Sequence, residues 1–276
     1  MSSPLALLND LRALAVEAGE IIAGFYHSGR YEEQLKGDET PVTSADLAAH
    51  AFLARTLREL EPDTPVLSEE DAGVPFAQRQ RWSRYFLIDP LDGTSEFVAG
   101  SGDFAVSIAL MEAGQPVAGV IHAPILGVSY FALRGAGVFR AEGGRGQPIA
   151  IARRQPGEAI TVAISRRQPL APIRQQLQID REVKYLPFGG ATLKCCLVAE
   201  GIADCYLRLG PTGEWDTAAA QCILSEAGGR VVDTRLQPLP YNHDEGLGNP
   251  DFIAIGDDRL PWAQWLRPSS RLRTGG

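Results

Sequence analysis

The spacing of apolar segments and chain breakers between residues 103 and 140 places the strongest constraint on the fold. Apolar runs of strand length alternate there with short turn signals at 113–114, at Pro124 and at 135–137. Strands joined by such short turns usually pair with their neighbours along the chain in antiparallel order. The sequence therefore predicts an antiparallel meander in this part of the molecule.

Two amphipathic helices are predicted before the meander. The first lies between Ser3-Pro4 and Gly29, because apolar residues recur there at spacings of three and four. The second begins near Thr43, where the run from Thr43 to Asp46 resembles a capping box.

The pattern changes after a stretch at 143–158 that is rich in Gly, Arg, Gln and Pro. Segments of strand type and helix type alternate beyond it, which is typical of a layered α/β unit. A shift in composition of this kind often marks a domain boundary. We therefore predict two parts, residues 1–150 with helices and an antiparallel sheet, and residues 151–276 as an α/β half.

Composition and charge disfavour several classes of protein. Apolar residues make up 45% of the 276 residues and charged residues 22%, as in ordinary globular chains. The net charge of −8 disfavours broad contact with nucleic acid or anionic lipid. Neither a membrane span nor a signal peptide is predicted. The four cysteines include no CxxC pair, and we expect them to be buried thiols in a reducing cytoplasm.

The segment DPLDGT, at residues 89–94, is the most informative motif. It follows a predicted strand at 85–88, and its proline favours a stop of that strand at Asp89, followed by a turn. Asp89 and Asp92, with the Leu91 carbonyl between them, offer clustered oxygen ligands of the kind that Mg²⁺ prefers.

The end of the same motif is suited to a phosphate group. Gly93 leaves space for an anion beside the backbone, and amide groups at a helix start near Thr94 could hold phosphate. Thr94 adds a hydroxyl at that place. The alternative is that Asp-Pro and Asp-Gly are simply common turn dipeptides.

Two further acidic residues change the balance between these interpretations. Glu69 ends a predicted strand at 66–67, and Asp216 opens a predicted helix near Trp215. Taken alone, the first is an ordinary loop residue and the second a helix N-terminal carboxylate. Taken with the acids of DPLDGT they indicate a multi-metal site, because cations offset the mutual repulsion of such a cluster.

Three linked motifs resemble the inositol monophosphatase superfamily of Mg²⁺-dependent, lithium-sensitive phosphomonoesterases. They are Glu69-Glu70, the segment 82–97 with DPLDGT, and the run 215–219, which reads Trp-Asp-Thr-Ala-Ala. The resemblance covers residues from about 5 to 256. It implies a layered α/β/α/β/α sandwich, with the site between the N-terminal half, which carries most metal ligands, and the C-terminal half, which carries Asp216.

The resemblance also implies a ligand set and a mechanism. Glu69 and Thr94 would position a metal-activated water that attacks the phosphorus in line with the leaving oxygen. Asp46 matches a family carboxylate that can accept a proton, while a helix-capping role stays an open alternative. Two or three Mg²⁺ ions would be held by five groups: Glu69, Asp89, the Leu91 carbonyl, Asp92 and Asp216.

Within the superfamily, residues 189–219 look most like the CysQ-type 3'(2'),5'-bisphosphate nucleotidases. Inositol monophosphatases usually have an uncharged residue in place of Lys194. A second phosphate would favour cations, which Lys194 and Arg208 supply, although both could instead be solvated surface charges. The implied substrate-binding residues are Glu69, Leu91, Asp92, Gly93, Thr94, Ser165, Gly190, Lys194, Arg208 and Asp216.

One segment departs from the pattern of these nucleotidases. They typically show Ser-Arg-Ser-His after the strand that opens the second half, whereas residues 165–168 here read Ser-Arg-Arg-Gln. Gln168 therefore puts in doubt any substrate contact that the family makes through the histidine. Two interpretations of Arg167 stay open: it is a partner of a substrate phosphate, or it is an exposed arginine near a helix start.

The implied reaction is hydrolysis of 3'-phosphoadenosine 5'-phosphate to AMP and phosphate, which removes a by-product of sulfate activation. The alternatives are an inositol or other sugar phosphatase, and a non-catalytic cation-binding protein in which Thr94 would have no role. We expect a small-molecule substrate, no nucleic acid partner and no transmembrane segment. A cytoplasmic location is predicted, and attachment to the inner face of the bacterial inner membrane is an open alternative. A homodimer is also an open possibility.

Overall fold

The computed structural model describes residues 3–35 and 41–269. Two long helices lead the chain, α1 (Pro4–Ser28) and α2 (Ser44–Leu60). Between them, β1 (Glu33–Leu35) and β2 (Pro41–Thr43) pair in antiparallel order. Both predicted helices are therefore present.

The caps of these helices follow the sequence signals. Ser3 Oγ accepts a hydrogen bond from the Ala6 amide, and Gly29 ends α1 with a left-handed φ of 61°. At α2, Thr43 and Asp46 form the reciprocal capping box.

The larger sheet contains the predicted meander. Within the described residues it has seven strands, in the order β3 to β9, with β3 parallel to β4 and the other pairs antiparallel. Two short helices, α3 (Phe76–Arg79) and α4 (Thr94–Val98), flank β4. The strands are β3 (Val66–Ser68), β4 (Arg84–Asp92), β5 (Ala105–Glu112), β6 (Gln115–Ala123), β7 (Val128–Leu133), β8 (Gly137–Glu142) and β9 (Gln147–Pro148).

The second half alternates strands and helices, as predicted. Its strands are β10 (Ile160–Ser165), β11 (Val183–Phe188), β12 (Cys205–Arg208), β13 (Arg230–Asp233) and β14 (Phe252–Ile255). They form a mixed sheet in the order β11-β10-β12-β14-β13. The helices are α5 (Leu170–Gln176), α6 (Ala191–Ala199), α7 (Ala218–Glu226) and α8 (Trp262–Trp265), with a 3-10 helix at Glu214–Asp216.

The helices lie in three layers around the two sheets. Helices α1 and α2 cover the outer face of the larger sheet, with Leu11 and Leu53 in a core that they share with Phe86. Helices α6 and α7 lie between the sheets, and α5 and α8 cover the outer face of the smaller sheet through Ile173 and Trp262. This arrangement is the predicted α/β/α/β/α sandwich.

No helix in the described ranges is both long and apolar enough to span a bilayer.

The structure corrects the prediction that the strand at 85–88 stops at Asp89. Strand β4 continues to Asp92, and its register against β5 shifts between Asp89, which pairs with Ser107, and Asp92, which pairs with Ala105. Between these two pairs, Pro90 and Leu91 of β4 lie opposite Val106 alone, which defines a β-bulge. Proline is tolerated in a bulge because the ladder hydrogen bond is already interrupted there.

Two glycines of α1 provide a matched test of packing against the larger sheet. A Cβ at Gly19 would lie 2.6 Å from His122 Cδ2, whereas a Cβ at Gly24 meets no described heavy atom within 4 Å. The His122 ring is buried and bonds to Ser129 Oγ at 2.9 Å, so a shift of the ring away from the new methyl group would strain or break this bond. We expect Gly19→Ala to lower the free energy of unfolding by about 1–3 kcal/mol through overpacking. Gly24→Ala should raise it by about 0.5–1 kcal/mol through helix propensity. Urea unfolding measures both, and equal changes would contradict the packing.

Candidate active site

Three aspartates converge where the two halves of the chain meet. Asp89 and Asp92 come from the bulge of β4, and Asp216 comes from the 3-10 helix before α7. One carboxylate oxygen from each lies within 4.8 Å of the others. The bulge and the sheet-to-helix packing therefore bring together side chains that are 127 residues apart (216 − 89).

Glu69 joins this cluster from the end of β3. Its amide donates to the Ile88 carbonyl at 3.1 Å, which extends the pairing of β3 with β4. Its side chain is a hydrogen-bond partner of Asp89, and its charge acts on Asp89 and on Asp216. The four acids predicted from separate motifs thus share one site.

Hydrogen bonds from nearby groups in the folded chain orient each aspartate. Asp89 Oδ1 accepts from the Leu91 amide at 2.9 Å, and Asp216 Oδ2 accepts from the Gly213 amide at 2.7 Å. Asp92 accepts from the Thr192 amide at 2.8 Å and from the Thr192 hydroxyl, both at the start of α6. A carboxylate has about four acceptor positions, so each of these groups keeps lone pairs for a further ligand.

Burial and mutual repulsion raise the pKa values of the cluster. The pKa of Asp89 lies well above its usual range, because its carboxyl is buried and Glu69, Asp216 and Asp92 are close. The pKa of Asp216 rises to about 8 for the same two reasons, burial first and repulsion from Asp92 and Glu69 second. The protein without cations therefore holds this carboxylate cluster at a cost in free energy.

The donor set fits a hard divalent cation. Every candidate ligand is an oxygen, and the sequence-predicted set adds the carbonyl of Leu91, a residue buried in the bulge, to the carboxylates. Oxygen-only sites select Mg²⁺ or Ca²⁺ over metals that prefer nitrogen or sulfur. A cation would also offset the repulsion that raises the pKa of Asp89.

Thr94 and Asp46 form a hydrogen-bonded pair beside the acidic cluster. Thr94 Oγ1 donates to Asp46 Oδ1 at 2.9 Å, and Asp46 Oδ2 accepts from the Thr43 amide at 2.8 Å. Asp46 therefore caps α2 with one oxygen and faces Thr94 with the other. Burial raises the pKa of Asp46, although its hydrogen bonds partly oppose this shift.

Two glycines allow α4 and α6 to begin close together. Gly93 precedes α4 with a φ of 95°, and Gly190 precedes α6 with a φ of 58°. A Cβ at Gly190 would lie 3.1 Å from Asp92 Oδ2 and 3.2 Å from the Asp103 carbonyl. Both positions therefore require glycine for backbone conformation and for space.

Lys194 is buried, so the alternative that it is a solvated surface charge is wrong. The side chain is 3% exposed, and Nζ donates to the Gly190 carbonyl and lies 4.9 Å from the Tyr206 ring centroid. Burial lowers the pKa of Lys194 to about 8, and the nearby Arg208 adds to this, while Asp92 opposes it.

Arg208 lies at the end of β12, beside Lys194 and Asp216. Its charge lowers the pKa of Lys194 and opposes the rise at Asp216. Nη2 donates to the Pro211 carbonyl at 3.0 Å, but Nε is buried and has no acceptor among the residues that the structure describes. Arg208 therefore has a charged N–H donor that the described residues do not use, and charged donors of this kind form strong hydrogen bonds with phosphate oxygens.

The segment 165–168 ties the two halves together. Ser165 Oγ accepts from the Arg167 amide at 3.2 Å, Arg166 pairs with Asp103, and Arg167 Nε pairs with Glu96 Oε1 at 2.9 Å. Arg167 therefore has a protein carboxylate as its partner. No local sequence signal points to Glu96 or Asp103 as partners, because the two ion pairs join residues that are 71 and 63 positions apart.

Comparison with known proteins identifies the relatives of this chain. The model of the inositol monophosphatase family matches residues 6–257. The 3'(2'),5'-bisphosphate nucleotidase CysQ of Aggregatibacter actinomycetemcomitans is 41% identical over 256 residues, which are 93% of this chain and 95% of that protein. CysQ of Escherichia coli K12 is 41% identical over 247 residues, which are 89% and 98% of the two chains.

Solved structures show the same architecture. CysQ from Bacteroides thetaiotaomicron, described as a bacterial member of the inositol monophosphatase family, matches with a TM-score of 0.72 and 33% identity, over 88% of this chain and 94% of that one. The extragenic suppressor protein SuhB from Bartonella henselae matches with a TM-score of 0.78 and 28% identity, over 95% and 98% of the two chains.

Proposed function

This chain belongs to the inositol monophosphatase family, and we propose that it hydrolyses 3'-phosphoadenosine 5'-phosphate to AMP and phosphate. Relatives that are 41% identical over most of their length are 3'(2'),5'-bisphosphate nucleotidases, which supports this activity over that of an inositol or sugar phosphatase. One observation carries the proposal. A carboxylate cluster lies beside two cationic groups, the buried Lys194 and an Arg208 whose Nε lacks an acceptor among the described residues.

Enzymes of this family are generally Mg²⁺-dependent, and the acidic cluster fits that requirement. We propose that two or three Mg²⁺ ions bind to Glu69, Asp89, the Leu91 carbonyl, Asp92 and Asp216. When bound, the ions would supply positive charge to the attacking and leaving oxygens and would make a water more acidic.

The residues around Thr94 would orient the attacking water. The Thr94 hydroxyl donates to Asp46 at 2.9 Å, with the Leu91 carbonyl as a second acceptor at 3.2 Å, and its oxygen would accept a proton of that water. Asp46, whose pKa is raised by burial, would take up a proton through Thr94. Glu69, which follows the C-terminal end of the neighbouring strand β3, would hold the same water. The backbone of Gly93 and Thr94 at the start of α4 would contact the phosphate that is removed.

The second phosphate would bind on the other side of the cluster. Arg208 Nε offers a buried donor, and the Lys194 ammonium lies close enough for the two charges to affect each other. Ser165, the last residue of β10, and Gly190, which precedes α6, would line this subsite. A 5'-phosphate that reaches Arg208 while the 3'-phosphate lies at Asp89 and Asp92 accounts for the choice of a bisphosphate.

The substrate assignment is tested by comparing kcat/KM for three compounds. We expect 3'-phosphoadenosine 5'-phosphate to be preferred to inositol 1-phosphate and to fructose 1,6-bisphosphate by at least about 100-fold, since buried donors left unpaired disfavour the wrong substrate. Arg208→Ala should remove most of this preference, whereas Arg235→Ala, at an exposed site, should not. A wild-type preference for either sugar phosphate would overturn the proposal.

Three parts of the sequence analysis stay predictions. They are the division at residue 150, the homodimer, and a cytoplasmic location, for which attachment to the cytoplasmic face of the inner membrane is the open alternative.

A further inference from the structure

The turn that follows β12 begins at Arg208, and side chains from other segments form hydrogen bonds to its backbone. The Leu209 carbonyl accepts from Gln168 Nε2 at 2.7 Å, and the Gly210 amide donates to Asp251 Oδ1 at 2.8 Å. Arg208 itself closes the turn through Nη2 and the Pro211 carbonyl, at 3.0 Å. The direction of the guanidinium therefore depends on the backbone of residues 209–211.

Gln168 reaches this turn because β10 and β12 are parallel neighbours. Their pairing, with Val162 opposite Cys205 and Ala163 opposite Tyr206, places both C-terminal ends at one edge of the sheet. Gln168 follows the end of β10, and Arg208 ends β12. A side-chain amide from one strand end thus holds the backbone next to the other.

The backbone before Gln168 is fixed to the opposite wall of the cleft. Arg167 donates to the Ser95 carbonyl at 2.9 Å and pairs with Glu96, both in α4, the helix that Thr94 begins. Arg166 pairs with Asp103, whose carboxylate also accepts from the Gly189 amide at 3.0 Å. Gln168 therefore connects the α4 wall, beside Thr94, to the turn that carries Arg208.

Apart from this turn, few contacts among the described residues fix the orientation of the Arg208 guanidinium. Among the described residues, its buried Nε has no acceptor, and its Nη2 hydrogen bond is to the Pro211 carbonyl of its own turn. Loss of the Gln168 amide would leave the Leu209 carbonyl without this donor and let the turn relax. A shift of this kind would move the guanidinium away from a bound anion.

We propose that Gln168 is a positioning residue for Arg208: by holding the Leu209 carbonyl, it sets the guanidinium in place for the second phosphate of the substrate. This inference rests on the proposed function. Gln168 does not contact the substrate in this proposal, and it acts on Arg208 through the backbone of the turn.

The first experiment compares Gln168→Ala with Gln175→Ala, an exposed glutamine of α5 in the same half. The substrates are 3'-phosphoadenosine 5'-phosphate and adenosine 3'-phosphate, which lacks the second phosphate. We expect Gln168→Ala to raise KM for the bisphosphate about 5–20-fold, as for loss of one hydrogen bond that orients a charged group. Its kcat, and its KM for the monophosphate, should stay within about twofold of wild type because the Asp89 end of the site is intact. Gln175→Ala should change neither.

The second experiment is a double-mutant cycle with Arg208→Ala. If Gln168 acts through Arg208, Gln168→Ala adds no further increase in KM for the bisphosphate in the Arg208→Ala background. If the two increases multiply, Gln168 contacts the substrate itself and the inference is wrong. Activity on adenosine 3'-phosphate serves as the check that each variant is folded.

The outcomes separate this inference from the proposed function. A wild-type enzyme that does not prefer the bisphosphate to the monophosphate overturns the proposed function, and this inference with it. A wild-type enzyme that prefers the bisphosphate, with an unchanged KM in Gln168→Ala, overturns the inference alone.

Discussion

Asp89→Asn is expected to lower kcat/KM for Mg²⁺-dependent phosphate release by about 10³-fold or more, because it removes a central carboxylate of the cation site. The amide oxygen of asparagine can still accept from the Leu91 amide, so the bulge of β4 should persist. Phosphate release at saturating Mg²⁺ measures the loss. Asp63→Asn, at an exposed position, is the matched control and should be fully active. An active Asp89→Asn enzyme would contradict the assigned site.

The same variant should be more stable than wild type when Mg²⁺ is absent. Burial and like charges raise the pKa of Asp89, so the folded state carries an electrostatic cost that asparagine removes. We expect an increase in the free energy of unfolding of about 1–3 kcal/mol at pH 7 to 8. Added Mg²⁺ should raise Tm in wild type and much less in the variant. A variant that is less stable than wild type in chelator would contradict this account.

The direction of the pH dependence follows from Asp216. Its pKa is about 8 in the folded protein and 3.8 when unperturbed, so between these values the folded state binds a proton that the unfolded state has lost. The free energy of unfolding of metal-free wild type therefore falls as pH rises through this window. The stabilisation that Asp216 contributes by binding its proton is complete only below about pH 4. Asp89→Asn should flatten the fall, because the pKa of Asp89 is itself raised and the substitution removes its contribution to the fall.

Thr94→Ala is expected to lower kcat by about 10²–10³-fold with little change in KM. The substitution removes the hydroxyl that donates to Asp46 and that we propose to orient the attacking water, while the carboxylate cluster is unchanged. Thr94→Ser keeps the hydroxyl and should keep kcat within about tenfold of wild type. Steady-state rates at saturating Mg²⁺ measure both variants. A serine variant as slow as the alanine variant would show that the hydroxyl is not the feature that matters.

Much of the fold could be predicted because local signals and tertiary packing agree. The apolar period of α1, its Ser3 cap and its terminal Gly29 all indicate one helix, and the structure has it. The turn signals at 113–114 and 135–137 likewise agree with the meander. The strand stop at Asp89 was wrong because the restriction imposed by Pro90 is local, whereas pairing of Asp92 with Ala105 continues β4 beyond it.

The site was predictable in its residues but not in its geometry. Each acid had an ordinary local explanation. Glu69, Asp89 and Asp216 were linked by their joint position at the ends of predicted elements and by the resemblance of their motifs to one family. Lys194 has a charge typical of a surface residue, and nothing local predicts its burial against Tyr206. The partner of Arg167 could not be predicted either, because pairing with Glu96 requires the two halves to be packed together.

The central claim is that acids from three separate segments bind divalent cations in one site that the reaction requires. Anomalous diffraction from crystals soaked in Mn²⁺ tests this claim most directly. We predict anomalous peaks between the carboxylates of Asp89, Asp92 and Asp216, with Glu69 and the Leu91 carbonyl as further ligands. No peak at this cluster, under conditions in which the same protein releases phosphate from 3'-phosphoadenosine 5'-phosphate, would contradict it.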